Sequence, residues 1–215
     1  MELDEAKRTV NAWRKANYAT AAFWKTCDQA LQVMVDGGQM YFGGQDGKMF
    51  FADGKRFLLG RHVPGIRMPN GLWLNYPNLR VDMSSGKPQF VYDNTGYTGK
   101  PLKTKAYGGK ICENIVQSLA FAIMKQQALW IAKYYPIVMN THDEWCVVVP
   151  RDQAETAAEY MARCMRTAPD YVAGLPLDTE GGWAQSYGAV DDDWSKRPDN
   201  PDRVHRFDPN TGDIL

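Results

Sequence analysis

Apolar residues recur at helical spacing over residues 2–35: Leu3, Ala6, Val10 and Trp13, then Phe23, Cys27, Leu31 and Met34. Each set falls on one helical face. A break is expected near Asn17-Tyr18, and Gly37-Gly38 should end the helical segment. From 39 to about 95 the pattern shortens. Met40-Tyr41-Phe42, Met49-Phe50-Phe51, Arg56-Phe57-Leu58-Leu59, Leu72-Trp73-Leu74 and Phe90-Val91-Tyr92 are separated by turn signals. These lie at residues 43–47, Asp53-Gly54, Pro69-Asn70-Gly71 and Tyr76-Pro77-Asn78. Short aromatic runs between such turns predict a β-rich excursion. Met83 to Lys87 reads as a polar loop.

The helical period returns at 111 to about 134. Ile111, Ile115, Leu119, Ala122, Ile123 and Leu129 share a face, and Asn114, Gln117, Lys125 and Lys133 fall off it. Ile137-Val138-Met139 and Cys146 to Val149 then predict a β-hairpin over 137–149. Asp152 with Glu155 three residues on has the capping-box pattern. It predicts a helix to about 167, with Ala154, Ala157, Ala158, Met161 and Met165 inward. Residues 175–190 are expected to return as an edge strand and turn. After Val190 the chain is rich in Asp, Asn, Pro and Arg, with few residues able to bury surface. That tail is expected to be disordered or docked on a partner. The fold class is therefore α+β, divided as 1–38 helical, 39–106 β-rich, 107–190 around the hairpin, and a 191–215 tail.

A chain of 215 residues carries one medium domain, or one and a half. Cys27, Cys112, Cys146 and Cys164 form no C-x-x-C, and His62, His142 and His205 are far apart, so no zinc site is expected. Scattered thiols fit a reducing, cytoplasmic setting. No signal peptide and no apolar run near the length of a membrane span is visible, so no membrane partner is expected. The 25 basic and 25 acidic residues cancel. Zero net charge weighs against a stand-alone DNA-binding protein, because phosphate contacts dominate such affinity. The charge is uneven, however. Lys100, Lys103, Lys105 and Lys110 form one basic region, and Lys55, Arg56, Arg61 and Arg67 another.

Thr141-His142-Asp143-Glu144-Trp145 is the candidate for chemistry. Read locally, it is a three-residue polar tip of a hairpin, and acids suit turns for local reasons. Read chemically, a strand-turn-strand holds two adjacent acids at a rigid end. Mg²⁺ acting on phosphates takes one or two carboxylates and fills its other positions with phosphate oxygens and water.

The flanking segments add a resemblance. Tyr107-Gly108-Gly109-Lys110-Ile111-Cys112-Glu113-Asn114-Ile115-Val116-Gln117 precedes the tip. Gly174-Leu175-Pro176-Leu177, Glu180-Gly181-Gly182-Trp183 and Tyr187-Gly188 follow it. This order over roughly residues 1–190 resembles the C-terminal part of family A DNA polymerases in their bacteriophage branch. Ile66 to Leu74 resembles the hairpin before the long helix of that branch.

The resemblance implies part of an antiparallel palm sheet flanked by helices, with fingers elements at the N-terminus. The tip looks like the family's motif C. It implies two Mg²⁺ ions, Asp143 as a catalytic ligand, Glu144 as its neighbour and occasional ligand, and His142 near the primer terminus. Gln117 would contact the duplex through its minor groove, where acceptors are shared by all base pairs. Asn114 and Lys110 are the further DNA-binding candidates, and Trp183 to Gly188 would pack near the catalytic carboxylates. Motif A and motif B have no counterpart here, and on this resemblance the chain begins just after motif B. The expectation is the C-terminal piece of a split polymerase acting on primer-template DNA and dNTP with a second chain that supplies motifs A and B, in the host cytoplasm if phage-encoded. The alternatives are a polymerase-derived accessory or DNA-binding protein without synthesis, and a lone metal-dependent nuclease. The nuclease lacks a second acidic cluster outside the tail.

Overall fold

The computed structural model of the chain describes residues 3–96, 99–187 and 205–206. The chain divides into two compact units, Met1–Leu119 and Ala120–Leu215.

In the first unit Asn17 leaves helical geometry and separates α1 (Leu3–Ala16) from α2 (Tyr18–Val35). The Asn17 amide donates to the Trp13 carbonyl at 3.0 Å, the local competition with helix that this residue type favours. On α2 the expected face is buried, through Cys27, Leu31 and Met34. On α1 it is not. Val10 and Trp13 stay exposed, and Trp13 stacks on Trp24 at 5.5 Å. α2 closes in a Schellman motif: Gly38 N–H donates to the Val33 carbonyl and Gly37 N–H to that of Met34, with Gly37 at φ +68°.

The β-rich excursion is present, with turns or bends in each of the four segments that the Gly, Pro and Asn signals mark; one further turn, at Leu59-Gly60, breaks in at the end of the run read as Arg56 to Leu59. β1 (Gln39–Phe42) and β2 (Phe50–Asp53) form one hairpin, β3 (Phe57–Leu58) and β4 (Arg61–His62) a second, β5 (Gly65–Arg67) and β6 (Trp73–Asn75) a third. The first and third join into one antiparallel sheet of order β1-β2-β5-β6, and the second is a separate two-stranded ribbon. β7 (Arg80–Asp82), β8 (Gln89–Thr95) and β9 (Pro101–Ala106) make a three-stranded meander. Phe42, Phe50, Ala52, Ile66 and Met68 pack with the buried face of α2, and Tyr76, Leu79, Tyr92, Ala106, Ile111 and Ile115 complete the core. Burial pushes the Cys27 thiol up to about 12, so it is an inert core group. Half of the Lys100–Lys110 region is ion-paired: Lys103 holds Asp82 at 2.7 Å and Lys110 holds Glu113 at 3.0 Å.

α3 (Gly108–Ile131) starts and ends three residues before the span that its apolar spacing predicts. Its first N–H groups need acceptors. The Asp28 carboxylate supplies one, taking the Gly108 N–H at 2.5 Å from a position 80 residues away in sequence. The Gly108-Gly109 pair therefore opens the helix and is not a loop before it.

In the second unit, the later half of α3 buries Ala122, Ile123, Gln127 and Ile131, while Leu129 is 64% exposed against expectation. β10 (Ile137–Thr141) and β11 (Glu144–Val147) form the expected hairpin as a two-stranded sheet of their own. A 3₁₀ turn at Arg151–Gln153 leads into α4 (Ala154–Arg166). The capping box expected at Asp152 does not form: Asp152 lies within that turn, and Gln153 stands at the cap position without a side-chain bond. Ala154, Ala157 and Cys164 are buried on α4, and Ala158, Met161 and Met165 half-buried. Among the described residues of 175–190 the expected strand is β12 (Gly182–Trp183) alone. It pairs with β13 (His205–Arg206), which lies in the tail, and not with the β10–β11 hairpin. The remainder of the tail lies outside the described residues.

Gln127 is a polar side chain in this apolar setting, 2% exposed. Its amide donates to the Met165 carbonyl at 2.6 Å and to that of Thr167 at 3.5 Å, satisfying backbone acceptors at the end of α4. Gln127→Leu would strand those carbonyls, and a buried acceptor left unsatisfied costs about 1–3 kcal/mol. Chemical denaturation should show that loss at unchanged m-value. An unchanged midpoint would mean that water replaces the amide.

Candidate active site at the His142–Glu144 hairpin

The sequence between Ile137 and Val147 folds as it does because β-favouring apolar residues flank a short polar turn. The turn is shorter than the predicted three-residue tip. His142 and Asp143 alone form the loop, and Glu144 already lies in the ladder opposite Thr141. His142 has φ +52°, and Asp143 is not among the positive-φ residues. Left-handed backbone at the first loop position is the sign pattern of a type II′ turn, whose twist suits two-residue hairpins. Glycine normally fills that position, and a side chain there costs about 1–2 kcal/mol.

His142→Gly should therefore stabilise the hairpin by about 1 kcal/mol and raise Tm by roughly 2–4 °C. A calorimetric melt decides it: a lower Tm would mean that the imidazole makes a stabilising contact worth more than the backbone strain.

Two further features shape the tip. The register shifts between Ile137 and Met139, leaving Val138 as a bulge, a device that re-aims side chains. The Asn140 amide donates to the Glu144 carbonyl at 2.9 Å and to that of His142 at 3.4 Å, bracing the turn from inside. The Tyr187 hydroxyl donates to Glu144 Oε2. Asp143 is exposed and makes no hydrogen bond or ion pair among the described residues.

As a metal site the tip is partial. Among the described residues no group of three or more His, Cys, Asp or Glu side chains could hold an ion. Asp143 offers one open carboxylate, and Glu144 offers one already accepting a hydrogen bond. That donor set fits a Mg²⁺ ion that takes one or two carboxylates and completes its shell with water and phosphate oxygens. It does not fit a closed protein cage.

The other candidates lie on α3 in the first unit. Lys110, Asn114 and Gln117 follow at four- and three-residue spacings, one stripe of the helix. Gln117 is exposed. Lys110 is bound to Glu113, which raises its pKa. The Asn114 amide donates to the Tyr76 hydroxyl at 3.4 Å and is half-buried, so it is engaged within the fold. Burial raises the Tyr76 phenol well above its ordinary value despite that bond. The structure thus brings His142, Asp143 and Glu144 together with Asn140 and Tyr187. The sequence carries no signal for Asn140. For Tyr187 the signal is the resemblance alone, which sets Trp183 to Gly188 near the carboxylates.

Among curated proteins, a DNA polymerase of Bacillus phage SP02 matches this chain at 29% identity over 184 residues, taking in 82% of the chain. The chain is related to a phage DNA polymerase. The match takes in 26% of that polymerase, so the chain spans about a quarter of its relative's length. No protein-family model matches the chain, and no solved structure matches it. The mixed α+β architecture with antiparallel sheets agrees with the expected fold class. No helix among the described residues is long and apolar enough to cross a membrane.

Proposed function

We propose that this chain is the motif-C-bearing part of a family A DNA-directed DNA polymerase. The observation that carries the reading is the braced hairpin that presents Asp143, exposed and without a partner among the described residues, beside Glu144. The relationship to a phage DNA polymerase supports it.

Asp143 would hold Mg²⁺, which in such enzymes neutralises charge on the transferring phosphoryl group and activates the attacking hydroxyl. Tyr187 fixes the Glu144 carboxylate beside it, and His142 stands at the same tip toward the primer terminus. Gln117 and Lys110 present polar groups to duplex DNA, whereas Asn114 serves the Tyr76 hydroxyl. Such an active site needs carboxylates from a second strand and cations for the triphosphate. A second polymerase chain carrying motifs A and B would supply them, with primer-template DNA and dNTP as substrates. A phage-encoded pair would work in the host cytoplasm.

The metal assignment is tested on this chain alone by adding Mn²⁺ to ¹⁵N-labelled protein. Amide signals of residues 141–145 should broaden first, and Asp143→Ala should remove that effect. Broadening confined to Asp191-Asp192-Asp193, or none at the hairpin, would overturn it.

A further inference from the structure

Three consecutive apolar residues stand in solvent on the β3–β4 ribbon. Phe57 is 68% exposed, Leu58 41% and Leu59 95%. Such a run on a surface calls for a use. Leu59 also sits at φ +49°, with Gly60 following at +75°. A two-residue loop with both φ positive normally takes Asn-Gly or Gly-Gly, so leucine here accepts steric strain as well as exposure. A side chain added at Gly60 would meet nothing within 4 Å, so the tip stands in open space.

The base of the ribbon is firmly held. Phe57 and His62 meet at 5.7 Å, and His62 Nε2 donates to the Gly54 carbonyl. Arg56 donates to the Val63 carbonyl at 3.3 Å and to the Asn75 side chain at 2.8 Å, and lies over the Trp73 ring at 4.4 Å. Beside the tip, Lys55 and Arg61 are exposed and make no ion pair among the described residues. Residues 55–62 carry three cations and no acid.

We infer that this ribbon is a nucleic-acid wedge for the junction between duplex and single-stranded DNA. Leu59 and Phe57 press against an unstacked base, and Lys55 and Arg61 take the flanking phosphates. Apolar side chains inserted at base steps unstack them, and aromatic faces hold freed bases without regard to sequence. Charge favours DNA over an apolar protein groove, since Lys55 and Arg61, which make no ion pair among the described residues, meet a phosphate on either side of any base that the leucine reaches. The inference rests on the reading that the chain works on primer-template DNA.

The test uses the full chain and a DNA hairpin with a 5′ overhang, carrying 2-aminopurine at the first unpaired template base. Leu59→Asn suits the turn and should stay folded by a thermal melt. Wild type should bind the junction in preference to blunt duplex and raise the 2-aminopurine fluorescence. Leu59→Asn should lose that rise and at least about fivefold of the junction affinity, the lower end of a base-stacking contact, with blunt-duplex binding unchanged within about twofold; Arg61→Ser should weaken both DNAs together. Equal junction binding by Leu59→Asn, no junction preference in wild type, or a loss seen only in association with another protein chain would overturn it. The metal reading fails separately, because Asp143→Ala should leave the junction signal intact.

Discussion

On the proposed function, Asp143→Ala should abolish primer extension by this chain mixed with one that bears motifs A and B, while leaving their association intact. A metal ligand supplies several kcal/mol of transition-state stabilisation, so the expected loss is about a thousandfold or more in rate. The side chain makes no bond within the described fold, so its removal should not shift Tm or the affinity for the partner chain. Single-turnover extension, read beside a melt and a co-sedimentation run, separates these quantities. Extension retained within about tenfold would remove Asp143 from the chemistry. Lost extension with lost folding would assign it a structural role instead.

Gly108→Ala should be the most damaging single-methyl change in the first unit. A Cβ there would stand 2.0 Å from the Trp24 carbonyl oxygen and 2.8 Å from the Asp28 carboxylate. The carbonyl is backbone of α2 and cannot rotate away. Either α2 and α3 separate or the Asp28 bond to the Gly108 N–H breaks. Overpacking of this kind costs about 3 kcal/mol, which for a chain of this size lowers Tm by roughly 10 °C. The neighbouring Gly109→Ala is the control. Its added methyl would meet only the Tyr107 ring, at 3.2 Å, and should be neutral within about 1 kcal/mol. Equal melts for the two variants would contradict the close approach.

These two residues differ in how far the sequence exposes their places in the fold. The position of Asp143 is legible because its signal is local: two apolar runs and a short polar turn suffice to predict a hairpin tip. The Schellman end at Gly37-Gly38, the break at Asn17 and the turns of the first and third hairpins are local in the same sense, whereas the Leu59-Gly60 turn puts a leucine where turn chemistry wants Asn or Gly and so leaves no signal. Gly108 is not legible, because its partners Trp24 and Asp28 are some 80 residues away. Tyr187 reaches Glu144 across 43 residues, and no spacing rule carries such a contact.

The face of α3 shows a different limit. At about 100° per residue, Leu129 shares the direction of Ile111, and periodicity makes both core. The helix instead buries Ile111 and Ile115 early, then Ile123, Gln127 and Ile131 late. The buried positions do not keep to one face along the length of α3, which a single-face template cannot express. Exposure of Val10 and Trp13 on α1 is a related case: helical spacing identifies an amphipathic face, but not whether this chain contains the surface that covers it.

Primer extension with Mg²⁺ on a short primer-template asks whether the active site is completed between two chains. It would compare this chain alone, a partner chain bearing motifs A and B alone, and the two mixed. A site shared between the chains gives synthesis in the mixture only, lost again when the mixture contains Asp143→Ala. Full synthesis by the partner alone would contradict it and leave this chain an accessory protein at most.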